Sequence, residues 1–166
     1  FTPEYKNILK GYNLLLYFAG SMVMNEPTDD CVIDFWINGK LRNLPVVSSN
    51  PRFISATSML RESCPEKEKC IKILVNEYNR LFSDKGPNYA PAYESKYQEG
   101  KPSDHVSEFY NSYGWGSRFR NNIADDNLGI ELLFLTQLID KLLTLEDLPC
   151  IREMKKEIIR FIDTHL

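Results

Sequence analysis

Residues 128–145 are apolar on nearly every face of a helix, interrupted by charged or amide side chains at Glu131, Gln137, Asp140 and Lys141. A helix of that kind cannot lie on a surface. It has to be covered on most sides by other elements. The same interruptions break it as a bilayer span, and the apolar stretch Leu14–Phe18 is too short to be one. No stable membrane insertion is therefore expected. A central helix wrapped by protein is expected instead, and the rest of the chain must supply the wrapping.

The remaining segments read as amphipathic helices. Tyr5, Ile8, Leu9, Tyr12, Leu15, Leu16 and Ala19 recur at helical spacing, predicting a helix over 5–23. Thr28 caps a short helix with acidic first-turn residues Asp29 and Asp30, which stops at Asn38-Gly39. Pro51 sits at the first turn of a helix through Leu60, and Ser63-Cys64-Pro65-Glu66 opens another with Ile71, Leu74, Val75, Tyr78, Leu81 and Phe82 on one stripe. A long loop rich in Gly and Pro follows from Ser83 to Ala92. Ser103 is placed to cap a helix carrying Val106, Phe109 and Tyr110, and Ile151, Met154, Ile158, Phe161 and Ile162 form a last stripe. No segment alternates with period two for long. The fold class is all-α: a single globular domain, 1–166, of six to eight packed helices.

Composition narrows the function. At about 100–200 residues per domain, 166 residues make one domain with a core of its own. A net charge of −3 argues against a general nucleic-acid binder. There is no phosphate-cradling glycine motif, and no nucleophile motif accompanies Asp104-His105. Neighbouring helical residues do not face each other, so Asp104 cannot orient His105 as a base. With only two histidines, and without metal-ligand spacing among Cys64, Cys70 and His105, neither a metal site nor a cofactor is expected. The four cysteines, Cys31, Cys64, Cys70 and Cys150, read as buried or inert thiols of a reducing compartment.

Between Glu94 and Glu131 stand seven acids (Glu94, Glu99, Asp104, Glu108, Asp125, Asp126, Glu131) against four bases (Lys96, Lys101, Arg118, Arg120), which accounts for the whole net charge. Gathered on one face, they would suit a basic ligand. Asp125-Asp126 also suits the cap and first turn of the apolar helix. The loop holding Tyr93, Glu94 and Tyr97 is long enough to suggest a binding role.

Three spaced motifs within residues 77–166 carry a resemblance. Glu77-Tyr78-Asn79-Arg80-Leu81-Phe82, Gly86-Pro87 and Pro91-Ala92-Tyr93-Glu94-Ser95-Lys96-Tyr97 are followed by Asp126-Asn127-Leu128-Gly129-Ile130-Glu131-Leu132-Leu133-Phe134-Leu135 and by Phe161-Ile162-Asp163-Thr164-His165-Leu166. Together they resemble the E-Y-x-R-L-F…G-P…P-P-Y-E-S-V-Y, P-x-D-H…L-x-x-E-L-x-F-L and F-L-x-x-H-L segments of the TorD/DmsD/NarJ family of cytoplasmic redox-enzyme maturation chaperones. Two departures stand out. Ala92 replaces the second proline, and Asn127 stands where the family carries histidine, so hydrogen bonding is kept and a titrating imidazole is not. Pro102-Ser103-Asp104-His105 spells the histidine motif, but the downstream Glu-Leu…Phe-Leu anchor sets the register on Asn127.

The resemblance implies an all-helical, non-enzymatic, cytoplasmic chaperone. Its partner would be the leader peptide, commonly a twin-arginine signal peptide, of the apo-form of a molybdenum or tungsten oxidoreductase subunit. The residues expected to bind the peptide are Phe82, Pro91, Tyr93, Glu94, Tyr97, Asp126, Asn127, Leu128 and Glu131. Two alternatives are a helical adaptor for the mature subunit and a hydrolase using Asp104 and His105. The first residue is Phe, not Met, and relatives continue past the last motif, so the chain is expected to lack its extreme N-terminus and a last helix or two. The stripe ending at Ile162 and Leu166 would then need a partner, as a homodimer or a swapped element.

Overall fold

A computed structural model describes residues 1–43, 48–64, 66–83, 86–116 and 122–166. Seven α-helices stand among them: α1 (Pro3–Met24), α2 (Asp29–Val32), α3 (Pro51–Glu62), α4 (Lys67–Tyr78), α5 (Pro102–Ser112), α6 (Leu128–Thr144) and α7 (Leu148–His165). π turns at Ile33–Ile37 and Asn79–Ser83 extend α2 and α4, and a 3-10 turn spans Glu94–Lys96. No strand occurs among the described residues; the one extended pairing is an isolated bridge between Tyr93 and Asn127. The fold is all-α, as expected. Two compact units form, Phe1–Tyr12 with Asn25–Ala90, and Asn13–Met24 with Pro91–Leu166, so α1 contributes one half to each.

In the first unit the Thr28 side chain accepts from the Cys31 N–H and starts α2, which packs against α4. The following π turn closes with Asn38 N–H on Ile33 O at 2.7 Å and ends at Gly39, whose φ of 74° is the left-handed conformation glycine accepts without strain. That turn buries Phe35 and Trp36, and the Trp36 indole N–H donates to Leu60 O at 2.8 Å, tying α3 to it. Asn50 caps α3 at the expected place, ahead of Pro51.

The cysteine reading is corrected in this unit. Cys64 and Cys70 form a disulfide, with Cα atoms 4.8 Å apart. Cys64 lies just before α4 and Cys70 in its first turns, so helix geometry brings the pair together where sequence separation alone gave no recognisable motif. Cys31 is half-buried and Cys150 is exposed, so neither is a core thiol.

The second unit is built around α6, which buries ten of its residues. Ile151, Met154 and Phe161 of α7 are buried in the same unit, as are Val106, Phe109 and Tyr110 of α5. Phe134, on α6, touches the rings of Tyr110, Trp115 and Phe161 at centroid distances of 4.7, 5.2 and 5.0 Å. The second half of α1 approaches α6 at a pair of glycines. A Cβ on Gly20 would stand 2.9 Å from Gly129 O, and one on Gly129 would stand 2.7 Å from Gly20 O. Only hydrogen at both positions permits that approach.

Two caps differ from expectation. Helix α5 starts at Pro102 with Lys101 in the cap position, so Ser103 is already inside the helix. Proline is preorganised for a first helical position, and the Asp104 and His105 N–H groups both donate to Lys101 O. Helix α6 is capped by Asn127, not by the preceding aspartates, because its Oδ1 accepts the Gly129 N–H at 2.9 Å. On α7, Phe161 and His165 are buried while Ile162 and Leu166 are exposed.

Candidate functional site

The segment 91–97 is laced to the start of α6 through backbone groups. Leu128 N–H donates to Ala92 O and Glu94 N–H to Asp126 O, each at 2.9 Å, and Ser95 N–H donates to the Asp126 carboxylate at 3.0 Å. Asp125 is held from the other side. Tyr110 donates its hydroxyl to Asp125 O at 2.9 Å, and the Ser107 hydroxyl donates to the Asp125 carboxylate. Each aspartate therefore engages the flanking chain rather than the helix start. Asn127 is left to cap, and its amide does so without carrying charge into a buried position.

This lacing turns ionisable groups inward. Glu94 opens the 3-10 turn, Glu131 lies one turn into α6, and His165 lies at the end of α7. His165 Nδ1 is 3.0 Å from Glu94 Oε2. Glu131 is 1% exposed and His165 6%. Asp126 is as buried as Glu131. Burial pushes the Glu131 carboxyl up to about 8, with further upward pressure from the charges of Glu94 and Asp126 and from its hydrogen bond to Glu94. Near neutrality Glu131 therefore holds a proton, which its bond to Glu94 uses. Its Oε1 and the His165 Nε2 have no hydrogen-bond partner. Among the described residues, Glu94, Glu131 and His165 bring one ligand atom each within 4.8 Å of one another, close enough to share an ion.

Of the residues expected to bind a peptide, the fold gathers Pro91, Tyr93, Glu94, Tyr97, Asp126, Asn127, Leu128 and Glu131 in the second unit, around the 91–97 lacing and the start of α6. Phe82 belongs to the first unit, half-buried and packed on Tyr78 at 5.4 Å. Exposure divides the gathered set. Tyr97 is 68% exposed and Leu128 38%, Pro91, Tyr93 and Glu94 are intermediate, and Asp126, Asn127 and Glu131 are buried. The acidic face is correspondingly thinner than the sequence count. Glu99, Asp104 and Glu108 are exposed, whereas Asp126 and Glu131 point into protein. Arg118 and Arg120 lie outside the described residues.

His165 is the residue the sequence reading left without a role. The signal was present: it continues the apolar stripe of α7 at the spacing of Met154 and Phe161. Glu131 carried a similar signal, being a carboxylate in a helix apolar all round. Asp104 and His105, by contrast, are exposed on the first turn of α5, with Asp104 3.6 Å from Lys101 Nζ. His105 shares an open polar cleft of about 380 Å³ with Glu108, Arg160 and the edge of His165. The two hydroxyls in that cleft, on Ser112 and Thr164, donate to the backbone carbonyls of Phe109 and Arg160.

No helix among the described residues is long and apolar enough to cross a membrane. A family model described as "Nitrate reductase delta subunit" matches residues 51–166. No curated protein and no solved structure matches the chain.

Proposed function

Since the chain belongs to the nitrate reductase delta subunit family, whose members are maturation chaperones of redox enzymes, we propose that it holds the N-terminal leader of a molybdenum or tungsten oxidoreductase subunit until that subunit is assembled. The observation that carries this reading is the exposure of Tyr97 and Leu128 around the laced loop. Both side chains are offered to solvent from backbone held by the lacing hydrogen bonds, which suits the apolar stretch of a leader. Tyr93 is half-exposed in the same loop and supplies a second aromatic face. The exposed acids Glu99, Asp104 and Glu108 follow it in the chain and suit the basic end of a leader, twin-arginine or otherwise.

The buried acids take a different part. Asp126, Glu131 and the enclosed side chain of Glu94 position the loop instead of meeting the ligand, since a guanidinium reaching them would have to displace the packing that covers them. The work is binding and release, not turnover. A holding chaperone needs an affinity near micromolar, about −8 kcal/mol, so that the client can leave.

Calorimetry with a synthetic leader peptide tests the reading. Tyr97→Ala and Leu128→Ser should each weaken binding by about tenfold, as expected for losing one apolar anchor worth about 1–2 kcal/mol. Unchanged affinity in both variants would rule out these anchors. Equal binding of the client subunit with its leader deleted would favour the adaptor reading.

A further inference from the structure

We propose that Glu94, Glu131 and His165 form a site for one first-row divalent transition-metal ion, which fastens the 91–97 loop to helices α6 and α7. The three residues come from three separate elements of the second unit, and their ligand atoms lie within 4.8 Å of one another. His165 Nδ1 and Glu94 Oε2 are 3.0 Å apart, already within the roughly 3–4 Å between ligands sharing an ion with bonds of about 2.1 Å. Closing the cluster around an ion means shortening its widest separation from at most 4.8 Å to that range, about 1 Å of side-chain movement.

A second observation is independent of the clustering. The fully buried Glu131 leaves Oε1 without a hydrogen-bond partner, although its carboxyl is turned to Glu94. Buried polar atoms are almost always satisfied, and an orphaned carboxylate oxygen in such a place wants a cation or a donor. Asp126, equally buried, adds a third carboxyl group and spends Oδ2 on the Ser95 N–H; an ion entering the cluster would displace the proton that Glu131 holds. Among the described residues no lysine or arginine pairs with Glu94, Asp126 or Glu131, and His165 is the basic group in contact. A divalent ion balances this charge where a proton balances only part of it.

The donor set selects the ion class. One imidazole and two carboxylates suit zinc, manganese or iron(II), whereas magnesium and calcium prefer oxygen ligands and retained water in more open sites. The ion's effect follows from where the ligands sit. Glu94 belongs to the loop that presents Tyr93 and Tyr97, so loading would stiffen that loop against α6 and α7. The metal site rests on its own geometry and does not require that the loop bind a leader.

The test uses the chain after exhaustive chelation, with Zn²⁺ as titrant, and follows both histidine rings by long-range nitrogen–proton NMR. With only two histidines the readout is unambiguous. The expected result is saturation at one equivalent, with the His165 Nδ1 shift moving and His105 unchanged. Glu131→Gln and Glu94→Gln should abolish the one-equivalent isotherm, and each variant's circular dichroism reports whether the helices persist. Mn²⁺, which has little affinity for the Cys31 and Cys150 thiols, should compete. No saturable binding, movement of His105 alone, or an isotherm unchanged in a folded Glu131→Gln variant would each overturn the proposal. If both variants unfold, the wild-type histidine shifts decide it: a moving His165 supports the site and a still one removes it.

Discussion

Asn127 sits between the buried carboxylate of Asp126 and a helix that needs a cap, and an amide serves both demands. Asn127→Ala should cost about 1 kcal/mol through the lost cap, read as a fall in the denaturation midpoint at unchanged slope. Asn127→Asp keeps the cap but adds a carboxylate beside Asp126 and near Glu131, so it should be less stable than wild type at neutral pH and recover as pH falls. Glu131 itself gives a pH dependence whose sign is set by its environment. Its folded pKa is raised from the ordinary 4.5 to about 8. The folded state therefore binds the proton more tightly than the unfolded chain does. In chelator, stability from this group is fully present below about pH 4.5 and is lost as pH climbs toward 8. Glu131→Gln should flatten that slope, and denaturation midpoints measured across the window check it. An unaltered slope in the variant would mean that the carboxyl is not held in its neutral form.

At the scale of elements, the approach of α1 to α6 depends on two hydrogens. A Cβ on Gly129 would press on Met24 Cβ at 2.6 Å and on Gly20 O at 2.7 Å, and neither neighbour is a flexible tip. Alanine gains up to about 1 kcal/mol of helix propensity, but overpacking costs about 1–3 kcal/mol, so Gly129→Ala should be destabilising on balance. Gly86→Ala, with nothing within 4 Å of the added methyl, is the control and should shift the thermal midpoint little. The ring cluster sets the joint between α6 and α7. Phe161 is fully buried against Phe134 at 5.0 Å and Phe109 at 5.3 Å, so Phe161→Ala should cost about 3–5 kcal/mol in chemical denaturation. In the first unit α3 buries none of its residues fully, and the short Cys64–Cys70 loop supplements a small core. Closing so short a loop is worth about 2 kcal/mol on the chain-entropy account, and a reductant titration followed by circular dichroism should show a loss of that order.

For the molecule as a whole, net charge describes its surface poorly. The −3 of the sequence is concentrated between Glu94 and Glu131, yet the fold takes Asp126 and Glu131 out of solvent and leaves Glu99, Asp104 and Glu108 outside. On the proposed function, leader binding should weaken with rising salt, but modestly, because exposed charges at ordinary ionic strength interact over about 10 Å and contribute little each. Reversing Glu99 and Glu108 together should reduce the association rate more than it raises the dissociation rate. The helices themselves were legible in the sequence. Periodicity, Thr28, Pro51 and the apolar run 128–145 are local signals, and each of those helices forms where they put it. The three spaced motifs likewise carried the family. What local signals could not carry was the fate of the charges. Glu94 and His165 are 71 positions apart and meet only because α7 packs on α6 while the 91–97 loop is laced to the start of α6. A charged residue read alone is taken as solvated, since water is its lowest-energy surrounding. Tertiary packing reverses that where several ionisable groups are enclosed together and share protons, and it did so for Asp126, Glu131 and His165 and for the side chain of Glu94. The sequence by itself determined which segments coil and which family they serve. The tertiary structure alone decided that the acids at the heart of the motif face inward.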